Sequence, residues 1–193
     1  MRNIKYLFFF LVCAVFILSC ASVARRDMLY VNLTDSARFV LLPPCGIEHN
    51  MDMAQFMSFE FSGQYHFINA WVIANENGID MAFFNELGAS IGELSYRNGE
   101  VRFSSPIFPV AVIRSFRPEY VIADFQLSFF DPILLGNSLK DSGLVLEAKD
   151  GSRRILSGGE LLIEIRKTSN TVNLVNHLRG YSYTVEGDFY WIQ

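Results

Sequence analysis

Cysteine, histidine and surplus positive charge are scarce in this sequence, and each shortage excludes a class of protein. Three cysteines in 193 residues are too few for the disulfide framework of a small secreted domain. The three histidines, His49, His66 and His177, lack the spacing of metal ligands, so we expect no metal site and no cofactor. With 16 basic and 20 acidic residues the net charge is −4, which argues against a nucleic-acid-binding protein.

Apolar and aromatic residues are abundant instead. Hydrophobic residues make up 51% of the chain and aromatic residues 15%, whereas only 19% of the residues are charged. This balance excludes a disordered chain, and the length suits one ordinary domain. The mean hydropathy of +0.23 is high for a water-soluble chain. The apolar excess therefore lies in a membrane segment, in a core, or in a surface that holds an apolar ligand.

The N-terminus accounts for part of this excess. Arg2 and Lys5 precede an apolar run over residues 6–18, and Ser19 and Cys20 follow it. The pattern predicts a secretory signal peptide over residues 1–19, because the run is short for a transmembrane helix. An uncleaved membrane anchor, or an ordinary signal peptide with Cys20 incidental, is the alternative.

The end of this segment, Ile17-Leu18-Ser19-Cys20, resembles a bacterial lipobox. The resemblance implies diacylglycerol on the Cys20 sulfur, cleavage before Cys20, and a further acyl chain such as palmitate on the new amino group. Several chains anchor a protein stably in a membrane. Ala21 stands where Asp would signal inner-membrane retention, which favours the outer membrane and a domain facing the periplasm.

Cleavage at Cys20 changes the charge and the cysteine content of the mature chain. It removes two basic residues and no acid, which takes the net charge from −4 to −6. Lipid, and not charge, would then hold the protein at an anionic membrane. Residues 20–36 are polar and mixed, and we expect a lipidated tether there, followed by one β-rich domain over residues 37–193. Cys45 is then the one cysteine besides Cys20; we expect a small packed residue, and a nucleophile is the alternative.

From residue 38 onward the dominant hydrophobic period is two, which is typical of half-buried β-strands. Met57, Phe59 and Phe61, for example, alternate with polar neighbours. About eleven such segments follow one another at a spacing near ten residues. The sequence therefore predicts a mainly β fold with a small α part: a single curved antiparallel sheet, or incomplete β-barrel, of about nine to eleven strands.

Turn and helix signals divide these segments. Asn77-Gly78, Asn98-Gly99 and Asp150-Gly151 each predict a two-residue hairpin turn. One stretch, around residues 118–141, breaks the pattern and predicts two short helices, the first after Arg117-Pro118 and the second from Asp131 as N-cap to Lys140. Helices facing the open side of a curved sheet would form a two-helix lid, and ordinary packing of helix on sheet is the alternative.

Several motifs resemble one uncharacterised family of bacterial lipoproteins, a domain of unknown function often encoded beside aryl-polyene or fatty-acid-like pathways. The most specific piece is Ala123-Asp124-Phe125-Gln126-Leu127, and the resemblance runs from about residue 41 to residue 183. The other matching pieces are Leu41-Leu42-Pro43-Pro44, Gln55, Phe59, Leu94-Ser95-Tyr96, Gly99, Arg154, Asn176 and Gly180-Tyr181. The architecture of this family is similar to that of the lipoprotein-localisation factors LolA and LolB. The resemblance implies an incomplete barrel, covered by helices, that holds acyl chains or a similar apolar tail.

An acyl group needs an apolar cleft and a lid that opens, which selects candidate ligand-binding residues. The candidates for lining the cavity or the lid are Met57, Phe59, Phe61, Trp71, Phe83, Tyr120, Phe125 and Phe129. Ordinary core packing is the alternative for each of them. Asp124 and Gln126 lie on the predicted lid helix, and an ion pair of Asp124 with Arg154 or Arg114 would latch the lid to the sheet.

We therefore expect a non-enzymatic outer-membrane lipoprotein that binds or transfers a lipid, a lipoprotein acyl chain or a polyene-like product. One alternative is a structural or scaffolding lipoprotein whose self-filled barrel recruits a partner. A second is a serine hydrolase, because Gly88-Ala89-Ser90-Ile91-Gly92 matches the nucleophile-elbow pattern. That motif requires a helix after the serine, whereas a strand is predicted after Ser90, so we expect no catalytic residue.

Overall fold

The computed structural model of the protein describes residues 29–61, 63–108 and 117–189, with the side chains of Phe59 and Phe61 left aside. The predicted signal peptide, Cys20 and Arg114 lie outside these described residues. Among the helices that the structure describes, none is long and apolar enough to cross a bilayer.

The described chain contains twelve strands, two α-helices and a one-turn 3₁₀-helix at Pro44–Gly46. The first meander follows two short strands: β1 (Tyr30–Asn32), β2 (Arg38–Val40), β3 (Met51–Phe61), β4 (Gln64–Asn75), β5 (Gly78–Phe84), β6 (Ser90–Arg97) and β7 (Glu100–Ser104). The helices and the second meander are α1 (Pro118–Phe129), α2 (Pro132–Lys140), β8 (Leu144–Lys149), β9 (Ser152–Ser157), β10 (Glu160–Lys167), β11 (Thr171–Asn176) and β12 (Tyr181–Glu186).

Ten strands form one curved antiparallel sheet in the order β7-β6-β5-β4-β3-β12-β11-β10-β9-β8. The two meanders join where β3 pairs with β12, from Phe56 opposite Glu186 to Phe61 opposite Tyr181. Strands β7 and β8 are therefore the two edges of the sheet, and the helical segment connects them in sequence. The predicted fold class, a mainly β chain with one curved antiparallel sheet and two helices, is confirmed.

Two of the three predicted hairpin turns have the expected residues. Asn98 and Gly99 have φ of 54° and 77°, and Asp150 and Gly151 have φ of 47° and 74°. Positive φ at both central residues is the mark of a type I′ turn, whose twist matches that of the flanking strands.

The third hairpin is shifted by one residue. Asn75 pairs with Gly78, so the turn residues are Glu76 and Asn77, and Gly78 belongs to β5. A Cβ at residue 78 would lie 2.8 Å from Cγ of Arg97, on the neighbouring strand β6. The glycine is therefore explained by the close approach of Arg97 and not by a left-handed backbone.

The expectation of a tether through residue 36 is wrong for residues 29–36. Strand β1 pairs with β2, and the side chains of Val31, Leu33 and Phe39 are buried. Val31 and Leu33 are separated by one exposed residue, which is the period of a strand. The short two-stranded sheet lies against the helices, since β1 contacts α1 and β2 contacts α2.

Both helices begin as their sequence signals predict. Pro118 occupies the first turn of α1, and Pro132 occupies the first turn of α2. Asp131 caps α2, because its Oδ1 accepts hydrogen bonds from the N–H groups of Ile133 at 2.8 Å and Leu134 at 2.9 Å. The helix ends at Lys140, as predicted.

The sheet has an inner face, which α1 covers, and an outer face on the opposite side. Alternate residues of each strand point inward and form the core, for example Val72 on β4, Leu94 on β6 and Leu174 on β11. Strand residues of the other parity, such as Trp71, point outward. The candidate site residues can therefore be assigned to one face or the other.

Candidate functional site

Helix α1 lies against the inner face and is buried along most of its length. Nine consecutive residues, 122–130, are buried, with exposed fractions as low as 0% at Ile122 and Gln126. A helix that is buried on every side is part of a core and not a surface element. The rings of Phe125 and Phe129 lie 4.8 Å apart, and Phe189, after β12, lies 5.8 Å from Phe129. The part of the inner face that lies under α1 is thus filled by the chain's own side chains.

Asp124 connects α1 to the middle of the sheet. The hydroxyl of Tyr181, on β12, donates a hydrogen bond to Asp124 Oδ2 at 2.5 Å. Asn176 at the end of β11 donates from Nδ2 to the same hydroxyl at 3.2 Å. Close by, the guanidinium of Arg179 stacks on the ring of Tyr120, 3.5 Å from its centroid. A chain of polar groups therefore runs from the helix into β12 and β11.

The environment of Asp124 shifts its ionisation. Burial raises the pKa of the Asp124 carboxyl to about 7, while the hydrogen bond from Tyr181 and the charge of Arg179 act in the opposite direction. Burial and the neighbouring Asp124 carboxylate also raise the pKa of Tyr181. Asp124 consequently changes charge near neutral pH inside the core.

Gln126 and Ser128 supply two further polar contacts on α1. Gln126 Oε1 accepts from the N–H of Leu42 at 2.9 Å, and Gln126 Nε2 donates to the Leu42 carbonyl at 2.8 Å. The hydroxyl of Tyr96 donates to that same carbonyl at 3.0 Å. The hydroxyls of Ser128 and Tyr183 lie 3.5 Å apart. We call Asp124, Gln126 and Ser128, with these partners, the polar seam of α1.

A buried arginine on β9 completes the contact with α1. Arg153 donates from Nη1 to the carbonyl of Leu127 at 2.8 Å and from Nη2 to Glu48 Oε2 at 2.9 Å. Lys167 on β10 donates to the same Glu48 oxygen at 3.1 Å. Burial and the charge of Arg153 lower the pKa of Lys167 to about 8. The cluster ties the loop before β3 to β9, β10 and the C-terminal end of α1.

The sequence analysis did not select Arg153, although a signal was present. Arg153 and Ile155 are separated by one residue, so they share a face of β9, and Ile155 belongs to the core. Arg154, which was selected as a latch, points to the other face and pairs with Glu147 of β8 at 2.9 Å. The predicted pairing of Asp124 with Arg154 is therefore wrong, because a shift of one residue changes the face.

Most candidate lining residues lie on the inner side. Met57 on β3 and Phe83 on β5 pack against the core, as does Tyr120 at the start of α1. Phe125 and Phe129 are buried in α1, whereas the side chains of Phe59 and Phe61 lie outside the described residues. Trp71 is the exception: it points to the outer face and does not lie under α1.

The outer face of β3 and β4 carries exposed aromatic and aliphatic side chains. They are Phe56, Tyr65, Phe67, Trp71 and Ile73. Phe56 and Phe67 stack with their ring centroids 5.9 Å apart. We call these five residues the outer apolar patch. Contiguous exposed apolar residues of this kind mark interaction sites more often than isolated ones do.

Neither the candidate nucleophiles, Cys45 and Ser90, nor the described His, Cys, Asp and Glu side chains form a reactive or metal-binding group. Cys45 is exposed in the 3₁₀-helix, so the expectation of a packed residue is wrong; Pro44 and Gly46 beside it are the buried residues. Ser90 begins β6 and is followed by strand, not by helix. Among the described residues, no three His, Cys, Asp or Glu side chains are grouped to hold a metal ion.

The fold and the polar seam of α1 define a class of protein: an open, curved antiparallel sheet whose two edge strands are connected by a segment of two helices, the first of which lies against the inner face. A family model described as a protein of unknown function (DUF3261) matches residues 52–187, and the chain belongs to this family. A search of curated proteins finds no match. The matched region spans β3 to β12 together with α1 and α2.

Proposed function

We propose that the protein is a non-enzymatic lipoprotein, anchored through Cys20 at the outer membrane and facing the periplasm. Its open sheet is covered by α1 on the inner face and recruits a partner at the outer face. The observation that carries the proposal is the burial of residues 122–130 on the inner face. A ligand on that face would compete with Phe125, Phe129 and their neighbours for the same space. The outer apolar patch, in contrast, is already accessible.

Extraction of noncovalent lipid tests the closed interior. The full-length lipoprotein is purified from membranes and extracted with organic solvent, which leaves covalent acyl chains on the protein. We expect no stoichiometric lipid in the extract and no saturable binding of a small apolar molecule such as benzene. Lipid at one molecule per protein would contradict the closed interior.

A cavity-forming variant provides the positive control. Phe129 is 3% exposed, and Phe129→Ala removes its ring from the space between α1 and the sheet. Apolar cavities of this size remain dry and bind small apolar molecules. We expect benzene binding by Phe129→Ala, together with a loss of about 3–5 kcal/mol in unfolding free energy. The exposed α2 variant Ile133→Ala should show neither effect.

The anchor has its own test. Mass spectrometry of the N-terminal peptide should show cleavage before Cys20, diacylglycerol on its sulfur and an acyl chain on its amino group. Cys20→Ala should remove these lipids. An unmodified Cys20 in the wild-type protein would contradict the anchor and leave the closed interior unaffected.

A second candidate function is carriage of an apolar ligand, with α1 as a lid that moves away. The polar seam favours this candidate. Three buried polar side chains hold α1 to its neighbours partly through hydrogen bonds, and water can replace those bonds when the helix moves away. A lipid, a lipoprotein acyl chain or a polyene-like product would be the ligand, and the likeness to LolA and LolB suggested by the sequence belongs to this candidate. Stoichiometric lipid in the extraction experiment would favour the carrier.

A further inference from the structure

Trp71, in the outer apolar patch, is held in a fixed orientation beside a carboxylate. Its neighbours directly across the strands are Ala54 on β3 and Ala82 on β5, whose small side chains leave room beside the indole. The Nε1–H of Trp71 donates to Asp52 Oδ1 at 3.0 Å, which orients the ring and places a negative charge next to it. The residue is 46% exposed. An oriented and accessible indole of this kind is the aromatic surface on which a cation stacks best.

Two clefts flank this ring, and Trp71 lines both of them. The first cleft, of about 510 Å³, extends across β5, β6 and β7 and has Glu93 in its lining. The second cleft, of about 560 Å³, extends toward β3 and the end of β12, where Glu186 and Asp188 line it. Glu93 and Glu186 lie on opposite sides of Trp71, each two strands or about 10 Å across the sheet from it. The indole therefore lies between two clefts that both have carboxylates.

The positive charge near the first cleft is already paired. Arg102 is the one basic residue among the described residues that line the two clefts, and it forms an ion pair with Glu100 of the same strand at 2.9 Å. Asp80, which lines the first cleft as well, pairs with Arg97 of β6. These two ion pairs add no net charge to the face.

The other carboxylates of the clefts are not neutralised in this way. No ion pair between described residues involves Glu93, Glu186 or Asp188, and all three residues are exposed. The lining of the two clefts together has four acidic residues and one basic residue. An occupant of this face therefore gains from positive charge on both sides of the indole.

This charge selects the occupant of the outer apolar patch. A second copy of the chain, docked through the same face, would bring carboxylates against carboxylates, and an anionic bilayer would repel them as well. A small cation on the indole would not reach both clefts, whereas an extended segment of six residues spans about 20 Å and does. We propose that the patch docks a basic segment of a partner protein, with one cationic side chain stacked on Trp71 and others beside Glu93 and Glu186.

This inference deepens the proposed function and rests on recruitment at the outer face. Its test is titration calorimetry of the full-length lipoprotein, in an uncharged detergent, with acetylated hexa-arginine amide as the probe. Hexacitrulline is the control, because it has nearly the same shape and no charge. We expect saturable binding of hexa-arginine that weakens as the salt concentration rises, and no binding of hexacitrulline. Absent binding of hexa-arginine, or equal binding of the two peptides, would overturn the proposal.

Variants of the patch test its two components separately. Trp71→Ala should weaken hexa-arginine binding by about threefold to fivefold, which corresponds to the loss of one cation–π contact at an exposed site. Trp71→Phe should retain part of the binding, because phenylalanine keeps a smaller aromatic face. Glu93→Gln and Glu186→Gln should each weaken it by about twofold to fivefold, as expected for one exposed ion pair.

Tyr65 and Glu160 provide the matched controls. Tyr65 is an exposed aromatic residue on the same strand and the same face as Trp71, and Glu160 is an exposed acid on β10; both lie outside the lining of the two clefts. Tyr65→Ala and Glu160→Gln should bind hexa-arginine like the wild type, and thermal melting checks that all variants fold. Weakening by these controls equal to that by the patch variants would overturn the proposal.

The bilayer and a second copy are the competing occupants. In vesicles with brominated phosphatidylethanolamine and phosphatidylglycerol, quenching of the fluorescence that Trp71→Phe removes would assign the patch to the bilayer and overturn the basic partner. Dimers in detergent that dissociate in Trp71→Ala, without hexa-arginine binding, would also overturn it and leave recruitment at the outer face standing. Failure of the closed interior is read separately, from lipid in the solvent extract.

Discussion

Asp124 is the residue whose chemistry is most sensitive to its position in the core. Its pKa is raised to about 7 in the folded state, whereas the ordinary value of 3.8 applies to the unfolded chain. Between these values the folded state binds more protons than the unfolded state, so stability falls as the pH rises from about 4 to 7. The fall amounts to at most about 4 kcal/mol, at 1.36 kcal/mol for each unit of pKa difference.

The first prediction concerns Asp124→Asn. The amide cannot ionise, so the decrease in unfolding free energy between pH 4 and pH 7 should be absent in this variant. Denaturant titrations at several pH values measure it. The same pH slope in the wild type and in Asp124→Asn would show that another group causes the dependence.

The second prediction concerns the partner of Asp124. A double-mutant cycle of Asp124→Asn and Tyr181→Phe should give a coupling energy above about 0.5 kcal/mol, because the two side chains share a 2.5 Å hydrogen bond. The cycle of Asp124→Asn with Arg154→Ala should give a coupling near zero, because Arg154 pairs with Glu147 on the outer face. A larger coupling with Arg154 than with Tyr181 would contradict the hydrogen bond between Tyr181 and Asp124.

At the scale of elements, the hairpin turns follow from local chemistry. The third prediction compares Gly99→Ala with Gly151→Ala, since both glycines have nearly the same positive φ. A Cβ at residue 99 meets open space, whereas one at residue 151 lies 2.9 Å from the carbonyl oxygen of Lys167. Gly99→Ala should cost about 1–2 kcal/mol in unfolding free energy from the left-handed backbone alone. Gly151→Ala should cost more, and equal losses would contradict the close contact.

Elements set by neighbours in sequence were predictable. Asp131 and Pro132 specify the start of α2, and Asn98-Gly99 and Asp150-Gly151 specify turns, because each acts within a few residues. The shift at Gly78 was not predictable in the same way, since it depends on Arg97 of the next strand.

The candidate site was predictable only in part, because it depends on which face each residue takes. Phe125 and Phe129 have helical spacing and lie inside, as the pattern indicates. Trp71 lies in an apolar run in which both parities are hydrophobic, so alternation does not assign its face. Arg153 could have been found by its parity with Ile155, but its partners Leu127 and Glu48 are distant in sequence.

At the scale of the whole molecule, the pairing of β3 with β12 determines the architecture. It brings together residues 56–61 and 181–186, whose separation in the sequence is nearly the full length of the region that the family model matches. The first and last strands of the ten-stranded sheet in sequence, β3 and β12, therefore lie at its centre, and β7 and β8 are its edges. Helix α1 follows β7 and then lies against the inner face, where it contacts β7 and β11, while α2 packs against the other edge strand, β8.

Amide hydrogen exchange of residues 122–130, compared with that of β11 and β12, tests the closed inner face most directly. Amides that exchange only by global unfolding are the mark of a core element. The account predicts that α1 exchanges as slowly as the two central strands, at the same free energy of opening. Exchange of α1 at a free energy several kcal/mol lower, while β11 and β12 remain protected, would show a detachable lid and contradict the closed interior.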